Sequence, residues 1–217
     1  MSLIEQTAAH VRSLMSGDSS GHDWWHIHRV WHNALAIAGH EVVDTTVVQL
    51  AALLHDIGDW KFHDGDETAG PRLARQWLEG QQVDEVTIAH VCDIIANLSF
   101  KGAGVEVPTL SLEGQVVQDA DRLDAIGAIG IARAFAYGGS KGRQMHDPDA
   151  APTMHATFEQ YKANTGTTIN HFHEKLLLLK DRLNTPTARA MAERRHAFML
   201  EFLREFEAEW GLEHKSK

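Results

Sequence analysis

"VVQLAALLHDIGD" (residues 47–59) is the stretch on which the reading of the chain turns. Its apolar residues predict a helix from Thr46 to Ile57, stopped by Gly58, and it closes on an imidazole and a carboxylate side by side, His55 and Asp56. Such a pair is either a helix ending in water or half of a metal site. Adjacent helical residues diverge by about 100°, so the two can share one ion only where the helix end meets other elements. The remaining ligands must come from elsewhere.

Outward from this run the spacing of apolar residues stays helical, with little period-two alternation, and the five prolines stand at 71, 108, 148, 152 and 186. The fold class is therefore all-α. A first helix ends near Gly17, a second spans about His22 to Val43, and two more cover Glu67–Glu79 and Val83–Ser99 on either side of Gly80. "FKGAGVEVP" reads as a loop. Ser111 to about Tyr137 is apolar on most sides and carries Gly114, Gly127 and Gly130, so it reads as one or two buried helices in close contact. The polar loop "YGGSKGRQMHDPDAAP" has the length at which loops are usually functional or mobile. From Thr153 an amphipathic helix is predicted past "HFHEKLLLLKDRL"; it breaks at "NTP" and resumes with Pro186 in a first helical turn.

With 217 residues, 43% of them apolar and 23% charged, one globular domain with a large core is expected over residues 1–217. The net charge of -10 repels polyanions and excludes nucleic acid polymers and anionic membranes as partners. A small phosphorylated substrate stays compatible where a cation neutralises it. Cys92 is the single cysteine, so no intrachain disulfide forms, and no run of about 18 apolar residues exists to span a bilayer. A cytoplasmic location is expected.

Two segments offer the missing ligands. In "HDWWHIHRVWHNA", His22, His26, Arg29 and Asn33 recur on one helical face, whereas His28 and His32 form another stripe. In "VVQDADRLDAIGAIG", Asp119, Asp121 and Asp124 lie within an otherwise apolar helix, where carboxylates are disfavoured unless paired or metal-bound. Asp121 and Asp124 share a face and Asp119 points away from Asp121; Arg122 can pair with one of the three. Joined, His26, His55, Asp56 and a carboxylate taken as Asp121 make a borderline-hard site suited to one divalent ion, Mn²⁺, Fe²⁺, Co²⁺, Ni²⁺ or Mg²⁺. Four protein ligands in an octahedral shell leave two positions for water or substrate, which suits hydrolysis.

These residues resemble the HD superfamily of metal-dependent phosphohydrolases, whose pattern H…HD…D matches His26, His55–Asp56 and Asp121. The ordered blocks "HDWWHIHRVW", "LLHDIGD", "LSFKG", "QDADRLDAIGAIGIARAFAYGG" and "HFHEKLLLLKDRLNT" resemble its YedJ/YpgQ-like bacterial branch over nearly the whole chain. The resemblance implies a helical bundle, with an HD core over about 22–135 and a helical extension over about 153–213. It also implies hydrolysis of phosphate ester or phosphoanhydride bonds. Some relatives act on nucleoside triphosphates, which favours pyrophosphohydrolysis to monophosphate and pyrophosphate, with 5′-nucleotidase, cyclic-nucleotide phosphodiesterase and a slow-turnover sensing module as alternatives. Asp121 is preferred to Asp119 because the family's last aspartate sits in an "ADRL"-like turn; a register shift of two would select Asp119. The guanosine-tetraphosphate hydrolases of the family carry a Glu-Asp couple where this chain has Asp59 and Trp60, which argues against that substrate.

Asp59 is the candidate for orienting or deprotonating the attacking water. Arg29 can hold a phosphate bidentately or pair with an aspartate instead, and Lys61 and Lys101 are weaker phosphate-binding candidates. His22, His63, His90 and Glu67 could add a second metal, but a single ion is the simpler expectation. Trp24, Trp25 and Trp31 are expected to pack in the core before they stack on a base. "LEFLREFEAEW" is first a packing stripe, and a homo-oligomer contact would use the same residues.

Overall fold

A computed structural model describes residues 1–15, 23–58, 66, 68–98, 109–154, 157, 159–160 and 166–211. Among the described residues there is no strand. Helix α1 (Leu3–Leu14) starts in a reciprocal cap, in which Ser2 Oγ accepts from the Glu5 N–H at 3.3 Å and Glu5 Oε2 accepts from the Ser2 N–H at 2.8 Å. Asp23 caps α2 (Trp24–Ala38) by accepting from the His26 N–H, and Asp44 caps α3 (Thr45–Leu54) by accepting from Thr46 and Val47. Then come α4 (Ala69–Gly80), α5 (Glu85–Asn97) and α6 (Leu112–Asp124), the last capped by Ser111.

Helix α3 is apolar all round because it is the central helix: Val47, Val48 and Leu50 to Leu54 are buried, and α1, α2, α5 and α6 pack around it. Truncating one of its fully buried leucines to alanine would cost about 2–5 kcal/mol. The core extends from Val11 to Leu203 without a break between the first and last helices. The α2–α6 pair is the most extensive helix contact, and the site lies along it.

The stretch from Ser111 to Tyr137 is two helices, not one. Gly127 takes φ +76° at the start of α7 (Gly127–Ser140), a conformation that costs a side-chain-bearing residue about 1–2 kcal/mol. A Cβ there would also lie 2.9 Å from Arg195 Cβ.

The tail departs from the helix expected through "HFHEKLLLLKDRL". Helix α8 (Thr168–Glu174) ends where Lys175 leaves helical geometry, and two short 3₁₀ turns follow, Leu176–Leu178 and Lys180–Arg182. The tighter winding puts Leu176 and Leu179, three apart, both into the core. Thr185 then caps α9 (Pro186–Glu209), with Pro186 in the first turn as expected. The loop after α7 is tied to the start of α8, since the Gln144 and Met145 carbonyls accept from the Thr168 and Ile169 N–H groups at 3.0 Å each. No helix among the described residues is long and apolar enough to cross a membrane.

Candidate metal centre

His26 sits in the first turn of α2, fully buried, with Arg29 one turn further along the same face. That face meets Asp121 and Asp124, themselves one turn apart at the end of α6. Asp124 Oδ2 lies 2.8 Å from His26 Nδ1, and Asp124 accepts from Arg29 Nε at 2.7 Å and Nη2 at 3.1 Å. The interlocking follows from spacing: two i, i+3 pairs on facing helices make a square of four side chains.

His55 is the residue that ends α3, and Asp56 lies in the turn beyond it. The His55 Nδ1–H donates to the Ala52 carbonyl at 2.9 Å, which aims Nε2 at His26. Gly58 lets this turn press against the start of α4, where a Cβ would come within 2.6 Å of the Gly70 nitrogen. His26 Nε2 and His55 Nε2 are 3.2 Å apart. Asp56 Oδ2 is 3.2 Å from the former and its Oδ1 is 3.7 Å from the latter, and Asp121 Oδ1 lies 3.6 and 3.9 Å from the two nitrogens. One ligand atom each of His26, His55 and Asp56 fall within 4.8 Å of one another, a grouping able to hold an ion.

The tautomers test whether a cation fits. The Ala52 carbonyl can only accept, so His55 Nδ1 carries the proton. Asp124 is held well below the usual carboxylate range: burial raises its pKa, but hydrogen bonds from His26 and Arg29 and the charges of His26 and Arg133 outweigh that. An ionised Asp124 also makes His26 Nδ1 a donor. In the neutral rings both Nε2 atoms then present lone pairs to each other, with two carboxylates alongside. That arrangement repels itself unless a cation or a proton joins it. Burial and the Arg133 charge push the His26 pKa down, yet the hydrogen bonds to Asp124 and Asp56 leave it raised. The donor set fits a divalent ion of the Mn²⁺ to Ni²⁺ or Mg²⁺ type, with nitrogen and oxygen ligands and no thiolate.

Comparisons with known proteins show the family to which this fold belongs. The HD-domain family model matches residues 24–126, from the start of α2 to just past α6. The chain is 41% identical over 204 residues to the YpgQ protein of Bacillus subtilis (strain 168), covering 94% of this chain and 91% of that one. The chain belongs to the HD-domain family. It is a metal-dependent phosphohydrolase of the YpgQ-like bacterial branch. A solved HD-superfamily hydrolase of Bacillus thuringiensis is 43% identical with a TM-score of 0.72 over 96% of both chains. The crystal structure of B. subtilis YpgQ in complex with ADP is 38% identical, with a TM-score of 0.75 over 95% of this chain and 94% of that one.

Within this HD fold the aspartates of α6 separate. Asp119 is fully buried and faces away from the centre. Its carboxylate accepts from the Asn184 N–H, the Asn184 Nδ2, the Thr185 N–H and the Thr185 Oγ1. Only Asp121 and Asp124 face the histidines. Arg122 pairs with none of the three by hydrogen bond; it donates to the Arg182 carbonyl. Arg29 takes the aspartate pairing, spending its Nε–Nη2 edge on Asp124. Asp59, Lys61, Lys101, His22, His63 and Glu67 lie outside the described residues. His90 is engaged elsewhere, 2.7 Å from Ser111 Oγ. Trp24 is buried and Trp31 packs against the core and donates to Gln49, whereas Trp25 is 55% exposed.

Sequence reasoning did not assign Asp124 its partner and did not single out Arg133 or Arg195. Arg133 Nη1 donates to Asp124 Oδ2 at 3.1 Å from α7. Arg195 of α9 donates to the Leu123 carbonyl and to Asn33 Oδ1. A signal for the first was present: Asp124 lies in an apolar helix three residues from Asp121, so a buried cation was required.

Proposed function

We propose that this enzyme hydrolyses nucleoside triphosphates to the monophosphate and pyrophosphate, with one divalent cation held by His26, His55, Asp56 and Asp121. The observation that carries the metal assignment is the meeting of two imidazole Nε2 atoms at 3.2 Å, both tautomers set with the lone pair inward. The nucleotide assignment is supported by the ADP complex of YpgQ. When bound, a divalent ion polarises a phosphoryl oxygen and can lower the pKa of a water to roughly 7.

The chain's own groups supply the rest. Arg29 has its Nε–Nη2 edge fixed by Asp124, so the guanidinium plane is set and its Nη1 end is directed away from Asp124. With its side chain 33% exposed, that end is suited to a phosphate oxygen of the substrate. From the sequence, Lys61 and Lys101 are the weaker phosphate-binding candidates, and Asp59 the candidate for orienting or deprotonating the attacking water. Water adds to the α-phosphorus, the bond from that phosphorus to the bridging oxygen breaks, and pyrophosphate leaves with the electron pair.

The test is to purify the protein without chelator, measure bound metal, and assay nucleoside triphosphates, monophosphates and cyclic nucleotides with Mn²⁺, Co²⁺, Ni²⁺ and Mg²⁺. The expected result is pyrophosphate release from triphosphates, abolished in Asp56→Ala together with metal binding. Orthophosphate from monophosphates, or ring opening of cyclic nucleotides, would assign the site to a nucleotidase or phosphodiesterase. Equal metal content and negligible turnover in wild type and Asp56→Ala would remove the metal-hydrolase reading altogether.

A further inference from the structure

We infer that Asp124 is a positioning residue of the metal centre: it fixes His26 with Nε2 toward the ion, and Arg29 and Arg133 hold it in that service. The inference rests on the assignment of His26 as a metal ligand. Asp124 is 2% exposed and reaches no other member of the cluster directly, so it acts through the imidazole.

Its geometry is that of a built support. Oδ2 faces three donors at once, His26 Nδ1 at 2.8 Å, Arg29 Nη2 at 3.1 Å and Arg133 Nη1 at 3.1 Å, while Oδ1 accepts from Arg29 Nε at 2.7 Å. A carboxylate that merely neutralised one buried arginine would not need a second arginine and an imidazole on one oxygen. Both guanidiniums come from positions set by other contacts: Arg29 lies one turn after His26, and Arg133 lies on α7, beyond the Gly127 turn. The end of α6 that carries Asp124 is tied down as well. Arg195 of α9 donates to the Leu123 carbonyl beside Asp124 and bridges to Asn33 of α2, whose Nδ2 donates to the Ala120 carbonyl at 3.4 Å. Ligand and support therefore share two helices and cannot drift independently.

A carboxylate hydrogen-bonded to the far nitrogen of a metal-binding imidazole orients the ring and raises its basicity, and losing it costs 10–100-fold in metal affinity. His55 lacks such a partner, since its Nδ1 donates to a backbone carbonyl. The two imidazoles are thus unequal, and His26 is the stronger donor.

The experiment compares Co²⁺ binding by wild type, Asp124→Asn and His55→Ala, with the dissociation constant from calorimetry, the cobalt absorption bands, and folding checked by circular dichroism. The expected result is a 10–100-fold weaker Kd and altered bands in Asp124→Asn, with binding lost in His55→Ala. Wild-type affinity and bands in Asp124→Asn, with binding still lost in His55→Ala, would overturn the positioning role and leave the metal site standing. No binding in wild type would sink the metal assignment and the inference with it. Should Asp124→Asn fail to fold, histidine ¹⁵N–¹H correlations on Zn²⁺-loaded wild type decide: a proton on His26 Nδ1 is expected, and a proton on its Nε2 would refute the role.

Discussion

Replacing Asp119 with asparagine tests the division of labour along α6. The change keeps size and shape but substitutes an NH₂ for one oxygen at a fully buried site. Oδ1 accepts from the Asn184 N–H and Nδ2, and Oδ2 accepts from the Asn184 and Thr185 N–H groups and the Thr185 hydroxyl. Whichever way the amide turns, its NH₂ faces at least one backbone N–H that cannot become an acceptor. Two hydrogen bonds to a charged acceptor are lost and two donors are left unpaired, at about 1–3 kcal/mol each, so a loss of roughly 3–5 kcal/mol is expected. For a chain of this size that is a fall in Tm of roughly 6–20 °C. The assay is chemical and thermal denaturation of metal-free protein, followed by metal titration at a temperature where the variant is folded. Metal affinity within about threefold of wild type is expected, because the lesion lies at the start of α9 and not at the proposed ligands. A variant that melts like wild type but binds no metal would show that Asp119, not Asp121, is the ligand, and the reasoning would fail.

Asp121→Ala should do the reverse: its side chain is 35% exposed, so stability should stay within about 1 kcal/mol while calorimetry shows metal affinity at least tenfold weaker. The His26 pKa is raised above 6.5, burial and Arg133 opposing but the hydrogen bonds to Asp124 and Asp56 prevailing. A raised folded pKa contributes stability below about pH 6.5 that is lost as pH climbs through the elevated value. Metal-free protein should therefore lose Tm on going from pH 6 to 9, whereas Mn²⁺-saturated protein should lose less; a Tm of metal-free protein that rises over that window would contradict it. Apparent metal affinity should increase with pH over the same range, by up to about tenfold per unit for one displaced proton. Gly58→Ala would place a Cβ 2.6 Å from the Gly70 nitrogen and 2.7 Å from the Ala69 carbonyl carbon, both backbone. A loss of about 1–3 kcal/mol in a denaturant titration is expected, with weaker metal binding as the His55–Asp56 turn shifts.

Local patterns announced much of this. The apolar run that ends in His55–Asp56, the His26–Arg29 face and the shared face of Asp121 and Asp124 all follow from helical spacing, which needs no partner to be read. The C-terminal run departs from its local pattern for the opposite reason: "LLLLKDRLNT" has good helical propensity, but Asp119 captures Asn184 and Thr185 across 65 and 66 positions, and buried Leu176 and Leu179 favour a tighter turn. The pairing of the Arg29 Nε–Nη2 edge with an aspartate likewise depends on a contact 95 residues away. Spacing says that two side chains share a face; it does not say what that face meets.

The charges at the centre make a case for why the support is cationic. Asp56, Asp121 and Asp124 bring three negative charges, and Arg29 and Arg133 bring two positive ones. Among these five side chains one negative charge is in excess, in a protein whose net charge is -10. A phosphate would be repelled by both. With a divalent cation in place the local excess becomes one positive charge, close to where the substrate must dock, and attraction at short range is screened less than the surface field that opposes it. Had Asp124 been neutralised by a single arginine, the same cation would only have brought the centre to zero. In the proposed site the second guanidinium would therefore do more than keep a buried carboxylate ionised: with the cation bound, it would leave these groups with a sign that an anionic substrate can use.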